Sequence, residues 1–239
     1  MADKVRIGVI GLGIMGEQYV RIYQAHPLAV VTAVCTRGKE RLDEIGQKYG
    51  IASRYSDYRK MLDEGSFDAV CIATPDFAHF APAKAALEAG KHVLCEKPFT
   101  TELSEADELL ELSRTRPNQT LQVAFNHRWL ASYHHGFSAI QNGSIGKPLA
   151  GYARKNDTIF VSTEMINWAS RSTPIHFLGA HDIDPLPHAP PDLDHLARVV
   201  AAGAGEHGHT PVRLFDDELD NPKLLVMREG WRLAGGAAG

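Results

Sequence analysis

The sequence predicts an α/β fold, with an N-terminal doubly wound parallel sheet and a smaller C-terminal α/β part that is incomplete. Three observations carry this reading. Short apolar runs such as Val5 to Ile10, Val30 to Cys35 and Ala69 to Ala73 are separated by helix-like stretches. The runs do not alternate apolar with polar residues, as befits strands covered by helices on both faces. A glycine-rich turn joins the first run to the first helix.

The elements follow in order. Val5 to Ile10 is a β-rich run, Met15 to Ala25 a helix and Val30 to Cys35 a strand. Glu40 to Tyr49 reads as a helix and Ala69 to Ala73 as a strand. Ala81 to Ala89 is a helix stopped by Gly90, a natural C-terminal residue. His92 to Cys95 is a strand, and Glu102 to Ser113 a helix with Thr101 as its expected N-cap. Leu121 to Phe125 closes the set. Beyond Asn126 the pattern changes, so the first domain is placed at 1–123. Trp129 to Ile140 looks helical, Asn142-Gly143 is a turn, and Pro148 to Arg154 leads into a strand. Pro174 to Ile183 reads as a helix with proline near its start, and 124–184 is taken as the second, substrate-side part.

Composition narrows the functions available. The 239 residues are 44% apolar and 23% charged, an ordinary soluble globular balance. A formal charge of −4 argues against a broad nucleic-acid surface. No apolar run approaches the roughly 18 residues of a membrane span. The N-terminus enters a strand-like run at once, which leaves no room for a signal peptide and points to the cytoplasm. Cys35, Cys71 and Cys95 are too few and too scattered for a disulfide framework or a zinc site. They read as small buried strand residues.

Gly11-Leu-Gly13-Ile14-Met15-Gly16 follows a strand and opens a helix, the context that gives a GxGxxG pattern meaning. Gly11 serves a tight turn, Gly13 lets the backbone approach a pyrophosphate, and Gly16 lets helix and strand pack closely. The helix N-terminus adds amide donors and partial positive charge. An NAD enzyme places an acid about 20 residues further on, against the ribose 2′-hydroxyl. That position here is Cys35-Thr36-Arg37-Gly38-Lys39, with no acid. Thr36 can hydrogen-bond a phosphate, and Arg37 and Lys39 can neutralise one, which favours NADP with NAD as the alternative.

Two further strand ends supply catalytic candidates. Ala73-Thr74-Pro75 ends a strand where ligands lie in a doubly wound sheet, so Thr74 and Pro75 should wall the nicotinamide side. His79, at the start of the next helix, is counted with this cofactor side but reads more as a packing or capping residue than a catalyst. Cys95-Glu96-Lys97-Pro98 follows the next strand. Pro98 stiffens the turn, and a lysine there can hold a substrate oxygen and share its proton transfer. A salt bridge made by Glu96 is the plainer alternative.

Taken in order, the glycine loop, Ala73-Thr74-Pro75, His79, Glu96-Lys97-Pro98 and Phe125-Asn126-His127-Arg128 resemble the glucose-fructose oxidoreductase / inositol dehydrogenase family (Gfo/Idh/MocA). The resemblance runs from about residue 4 to Asp184. It implies a Rossmann domain, then an α/β domain on an open, mostly antiparallel sheet. It also implies hydride transfer between a nicotinamide cofactor and a sugar- or cyclitol-like hydroxyl or carbonyl. Glu96, Lys97 and Asn126 join the cofactor-side set, and Lys97 matches the family's active-site lysine. His181-Asp-Ile-Asp184 matches its later His-x-x-Asp, which makes His181 the second catalytic candidate and Asp184 its anchor. Many members carry an aspartate four residues before that histidine; here the position is Phe177. His176 is a weak substitute.

The resemblance stops where Pro185, Pro187, Pro190 and Pro191 begin a Pro/Gly/His-rich tail, 185–239. That tail reads as a natural shorter variant or a shifted reading frame, with a short helix over 192–202 and a frayed end. Two functions follow: an NADP-preferring dehydrogenase or reductase, or a non-catalytic dinucleotide-binding or sensor protein. The expected partner is a small polyol or sugar, with no metal; self-association stays open. Arg128, Trp129, Tyr133, His134, Trp168 and Arg171 are candidate pocket residues, and none of them specifies a ring.

Overall fold

The computed structural model describes residues 4–146, 150–155, 160–173 and 175–184, together with three later strands at 199–201, 210–214 and 224–228. The chain divides into two compact units, Met1–Ala124 and Phe125–Gly239.

The first unit is a six-stranded sheet in the order β3-β2-β1-β4-β5-β6, and every neighbouring pair is parallel. The strands are β1 Val5–Ile10, β2 Ala29–Cys35, β3 Ser53–Tyr55, β4 Ala69–Ile72, β5 His92–Cys95 and β6 Leu121–Val123. The helices between them are α1 Ile14–Ala25, α2 Lys39–Lys48, α3 Tyr58–Glu64, α4 Phe80–Glu88 and α5 Leu103–Arg114. This is the Rossmann arrangement, in which strand order reverses between β1 and β4 and opens a crevice at the strands' C-terminal ends.

Alternation along the strands, with a register shift in β2 between Val31 and Ala33 that lets Val31 and Val34 share a face, explains the two cores. Ile7, Val9, Val31, Val34 and Cys71 turn to one face and pack with Val20 of α1 and Leu42 and Ile45 of α2. Ile10, Cys35, Val70, Ile72 and Cys95 turn to the other, against Met61, Phe67, Ala83, Leu87 and Leu109. All three cysteines are buried and free, and burial raises each thiol well above its ordinary range.

Local chemistry sets the element ends. The Asp57 side chain accepts the Arg59 amide at 2.9 Å and starts α3. Gly90 ends α4 at φ +78°, a left-handed conformation that a side chain would strain. The N-cap of α5 is Glu102 rather than Thr101, and no side chain caps it. β3 and α3 escape the sequence reading because each is short. In the ladder, three residues suffice for β3 once β2 offers its free edge at Ala33 to Cys35.

The second unit begins with a 3-10 turn, Asn126–Trp129, then α6 Ala131–Gln141 and β7 Ala150–Lys155. A wide π-type turn at Ile175–Gly179 leads into α7 Ala180–Ile183. β7 joins β8 Val199–Ala201, β9 Thr210–Leu214 and β10 Leu224–Arg228 in a sheet of order β10-β7-β9-β8. The β7–β10 pair is parallel and the other two pairs are antiparallel. Residues 199–201 are therefore strand where a helix was expected; 192–198 lie outside the described residues, as do Pro148, Pro174 and most of the tail.

Candidate active site

In a parallel sheet all strands end on one edge, so loops far apart in sequence become neighbours there. The ladder runs one residue past each strand. Gly11 N donates to Cys35 O at 2.8 Å, Ala73 N to Ile10 O at 2.8 Å, and Glu96 N to Ile72 O at 2.9 Å. The glycine loop, Thr36-Arg37, Thr74-Pro75 and Glu96-Lys97 are thus held side by side.

Each glycine of the loop has a distinct constraint. Gly11 has φ +91°, and a Cβ there would meet Ala73 O at 2.4 Å. A Cβ on Gly16 would meet Gly11 O at 1.8 Å, because α1 crosses its own loop at that point. Gly13 differs, since nothing lies within 4 Å of where its Cβ would be. Gly13 is also the N-cap of α1 and brings no side-chain acceptor to the first-turn amides. Those amides and the open space beside Gly13 suit a pyrophosphate. Ile14 and Met15, in the first turn, are exposed.

A carboxylate near such a site would repel a phosphate, and Glu17 lies in the first turn of α1. Lys48 Nζ donates to it at 2.7 Å, Tyr49 Oη at 3.0 Å, and Arg41 also pairs with it. The Lys48 and Arg41 bonds bring its carboxyl down to about 2. Arg41 Nε also donates to Leu12 O at 2.9 Å, inside the glycine loop. The charge is neutralised locally and the loop is braced from α2. Sequence reasoning missed this cluster, whose members are 24 to 32 residues apart.

Thr36 closes β2, its amide donating to Tyr55 O at 3.1 Å. Arg37 and Lys39 beyond it are exposed. Thr74 is half-buried, and its hydroxyl donates to Ala78 O at 3.0 Å. His79 is 1% exposed. Its Nδ1 lies 2.7 Å from Pro98 O and its Nε2 3.0 Å from Thr74 O. Both ring nitrogens face main-chain carbonyls, so the buried ring sits between the Thr74 turn and the Pro98 turn and, when neutral, donates to one of the two. Burial lowers its pKa.

Glu96 is 7% exposed. Tyr19 Oη donates to its Oε1 at 2.6 Å, and the Lys97 amide to its Oε2 at 3.1 Å. The Lys97–Pro98 peptide is cis, and Lys97 is half-buried. Nothing in the sequence pairs Tyr19 with Glu96, 77 positions later.

The second unit gathers another set. The His181 ring stacks on His127 with centroids 4.4 Å apart, and Tyr133 lies 5.2 Å from His127. Asp184 accepts from Arg128 Nε at 2.7 Å and so ties the end of α7 to the Asn126–Trp129 turn. That bond raises the Arg128 pKa. Phe177 meets Trp168 edge-on at 5.8 Å. Asn126 and Trp129 are exposed, Trp129 at 73%. Among the described residues, no three metal-ligating side chains converge, and no helix is long and apolar enough to cross a membrane.

Comparison with known proteins gives a consistent picture. A family model described as "Oxidoreductase family, NAD-binding Rossmann fold" (GFO_IDH_MocA) matches residues 5–125. A myo-inositol 2-dehydrogenase of Thermotoga maritima is 31% identical over 144 residues, which are 60% of this chain and 43% of that protein. The solved myo-inositol 2-dehydrogenase of Lactobacillus plantarum is 27% identical with a TM-score of 0.69, covering 77% of this chain and 56% of that one. The scyllo-inositol dehydrogenase of Lactobacillus casei, solved with NAD(H) and scyllo-inositol, shares the fold at 22% identity. Its TM-score is 0.71, over 78% of this chain and 56% of that one. The chain spans about half the length of the curated relatives it matches.

Proposed function

Because the chain belongs to the Gfo/Idh/MocA oxidoreductase family, we propose that it is an NAD(P)-dependent dehydrogenase or reductase of a sugar- or cyclitol-like CH–OH group. The observation that carries this reading is the open cradle at Gly13 on the same sheet edge as Lys97. The first-turn amides of α1 hold the pyrophosphate, and Gly11 and Gly16 fix the loop that presents them. Thr74 and Pro75 wall the nicotinamide side. The nicotinamide, when bound, accepts or returns a hydride. Lys97 holds the substrate oxygen and takes its proton as the alcohol is oxidised, or gives one back as the carbonyl is reduced. His181 is the second proton carrier. The exposed Arg37 with Thr36 receives a 2′-phosphate, which gives the preference for NADP. The buried free thiols suit a reducing, cytoplasmic setting.

One observation favours a binding-only protein. Phe177, packed on Trp168, stands where a carboxylate would complete a histidine dyad. Titration with NADPH and NADH, followed by an oxidation screen over polyols and sugars, separates the two. Turnover that Lys97→Met lowers by at least about 100-fold supports the enzyme. Dinucleotide binding without turnover on any substrate supports the binder.

A further inference from the structure

Resting on the reading of Lys97 as the residue at the reacting oxygen, we infer that Tyr19 is a positioning residue which, through Glu96, fixes the Lys97 turn to the helix that carries the dinucleotide. Tyr19 lies three residues beyond Gly16 in α1, on the inner side of the helix whose first turn forms the cradle. Its phenol donates to Glu96 Oε1 at 2.6 Å, and Glu96 Oε2 accepts the Lys97 amide at 3.1 Å. One carboxylate, only 7% exposed, therefore joins two elements that the sheet merely makes neighbours. A carboxylate so buried needs a donor on each oxygen, and the phenol is the donor that α1 supplies.

The support beneath Tyr19 is itself ordered. Tyr23, one turn on, stacks beside it with centroids 6.1 Å apart, and its hydroxyl accepts from Cys71 Sγ at 3.7 Å. Burial, and next the facing Glu96 charge, push the Tyr19 phenol above its ordinary pKa. Tyr19 thus keeps its proton and remains a donor across neutral pH. Helix α1 sets where the pyrophosphate lies, and the Glu96 turn sets where the Lys97 backbone lies. The Tyr19–Glu96 bond makes the two positions one rigid distance. Hydride transfer is sensitive to such a distance, since a misplacement of about 1 Å costs on the order of 100-fold.

Tyr19→Phe keeps the ring and removes the donor. Its first readout does not need turnover: amide hydrogen exchange of the segment 96–101 in the intact chain. The expected result is exchange at least about 10-fold faster in that segment, with β1 and β2 unchanged. Glu96→Ala, which removes both acceptor oxygens, should speed the same segment. Adding Tyr19→Phe to it should then change little, as for two partners in one bond. The second readout is kinetic, with myo-inositol as the probe polyol: kcat falls about 10- to 100-fold while the dinucleotide Kd stays within about 3-fold. Unchanged exchange at 96–101, or exchange effects that add in the double variant, would overturn the inference. So would kcat and Kd weakening together in step with a general loss of melting temperature. A wild-type chain without turnover on any polyol defeats the proposed function, and the exchange measurements still decide the Tyr19–Glu96 coupling.

Discussion

Gly13 and Gly16 belong to one motif, yet alanine at each should do opposite things. At Gly16 the new Cβ would sit 1.8 Å from Gly11 O and 2.8 Å from Gly11 C. The obstacle is backbone, so helix and loop must separate by about 1.5 Å in an interior packed to crystal density. Overpacking of this kind costs about 1–3 kcal/mol and more where the neighbour cannot yield; about 3 kcal/mol is expected here. Alanine's better helix propensity returns about 1 kcal/mol at most. The net loss is then about 2 kcal/mol, and the melting temperature should fall by roughly 4–8 °C, scaled for a chain of this size. At Gly13 nothing lies within 4 Å, and φ −70° with ψ −162° suits any residue. Gly13→Ala should therefore keep its stability within about 1 kcal/mol. It should lose dinucleotide affinity instead, because the methyl occupies the approach of the phosphate. Losing one hydrogen bond to a charged group, about 1.5–3 kcal/mol, means roughly 10- to 100-fold weaker binding. Thermal melting and NADPH fluorescence titration of both variants test this. A Gly13→Ala protein that melts as low as Gly16→Ala, or that binds as well as wild type, would refute the assignment of the cradle.

Three other outcomes are expected. Arg37→Ala should weaken NADPH by about 1.5–3 kcal/mol and leave NADH nearly unchanged; equal loss for both removes Arg37 from the phosphate site. Lys97→Met should lower kcat by at least about 100-fold with dinucleotide affinity kept, and a variant that turns over normally takes Lys97 out of the chemistry. Glu17, brought from 4.5 to about 2, gives stability that is full above pH 4.5 and is lost as pH falls toward 2. The partly exposed ion pairs are screened, so Glu17→Gln should cost about 1 kcal/mol near pH 7. In melts run from pH 7 to pH 2 the gap should close; a gap that persists at pH 2 would show that packing, not charge, sets it.

The local pattern of the sequence was enough for what depends on near neighbours. Unalternated apolar runs gave a sheet covered on both faces, and a strand–glycine–helix succession gave the loop beside α1. The proline at position 98 gave a turn after β5. Even there the three-residue β3 was invisible, because its strand character comes from the edge of β2 rather than from its own residues. The site divided along the same line. Gly11, Gly13 and Gly16 were legible as a strand–loop–helix turn because that pattern is local, and Lys97 was nominated from its place after β5. His79 read as a packing or capping residue, but not against which groups, since Thr74 O and Pro98 O become its neighbours only when β4 and β5 pair. The tail shows the limit in another way: Val199–Ala201, read as part of a helix, pairs with β9 as a strand, a partner the local sequence does not reveal. The Arg41–Glu17–Lys48 cluster and the Tyr19–Glu96 bond are tertiary decisions as well. A hydrogen bond needs two atoms within about 3 Å, and only the parallel sheet, by bringing every strand end to one edge, sets residues 77 positions apart at that distance.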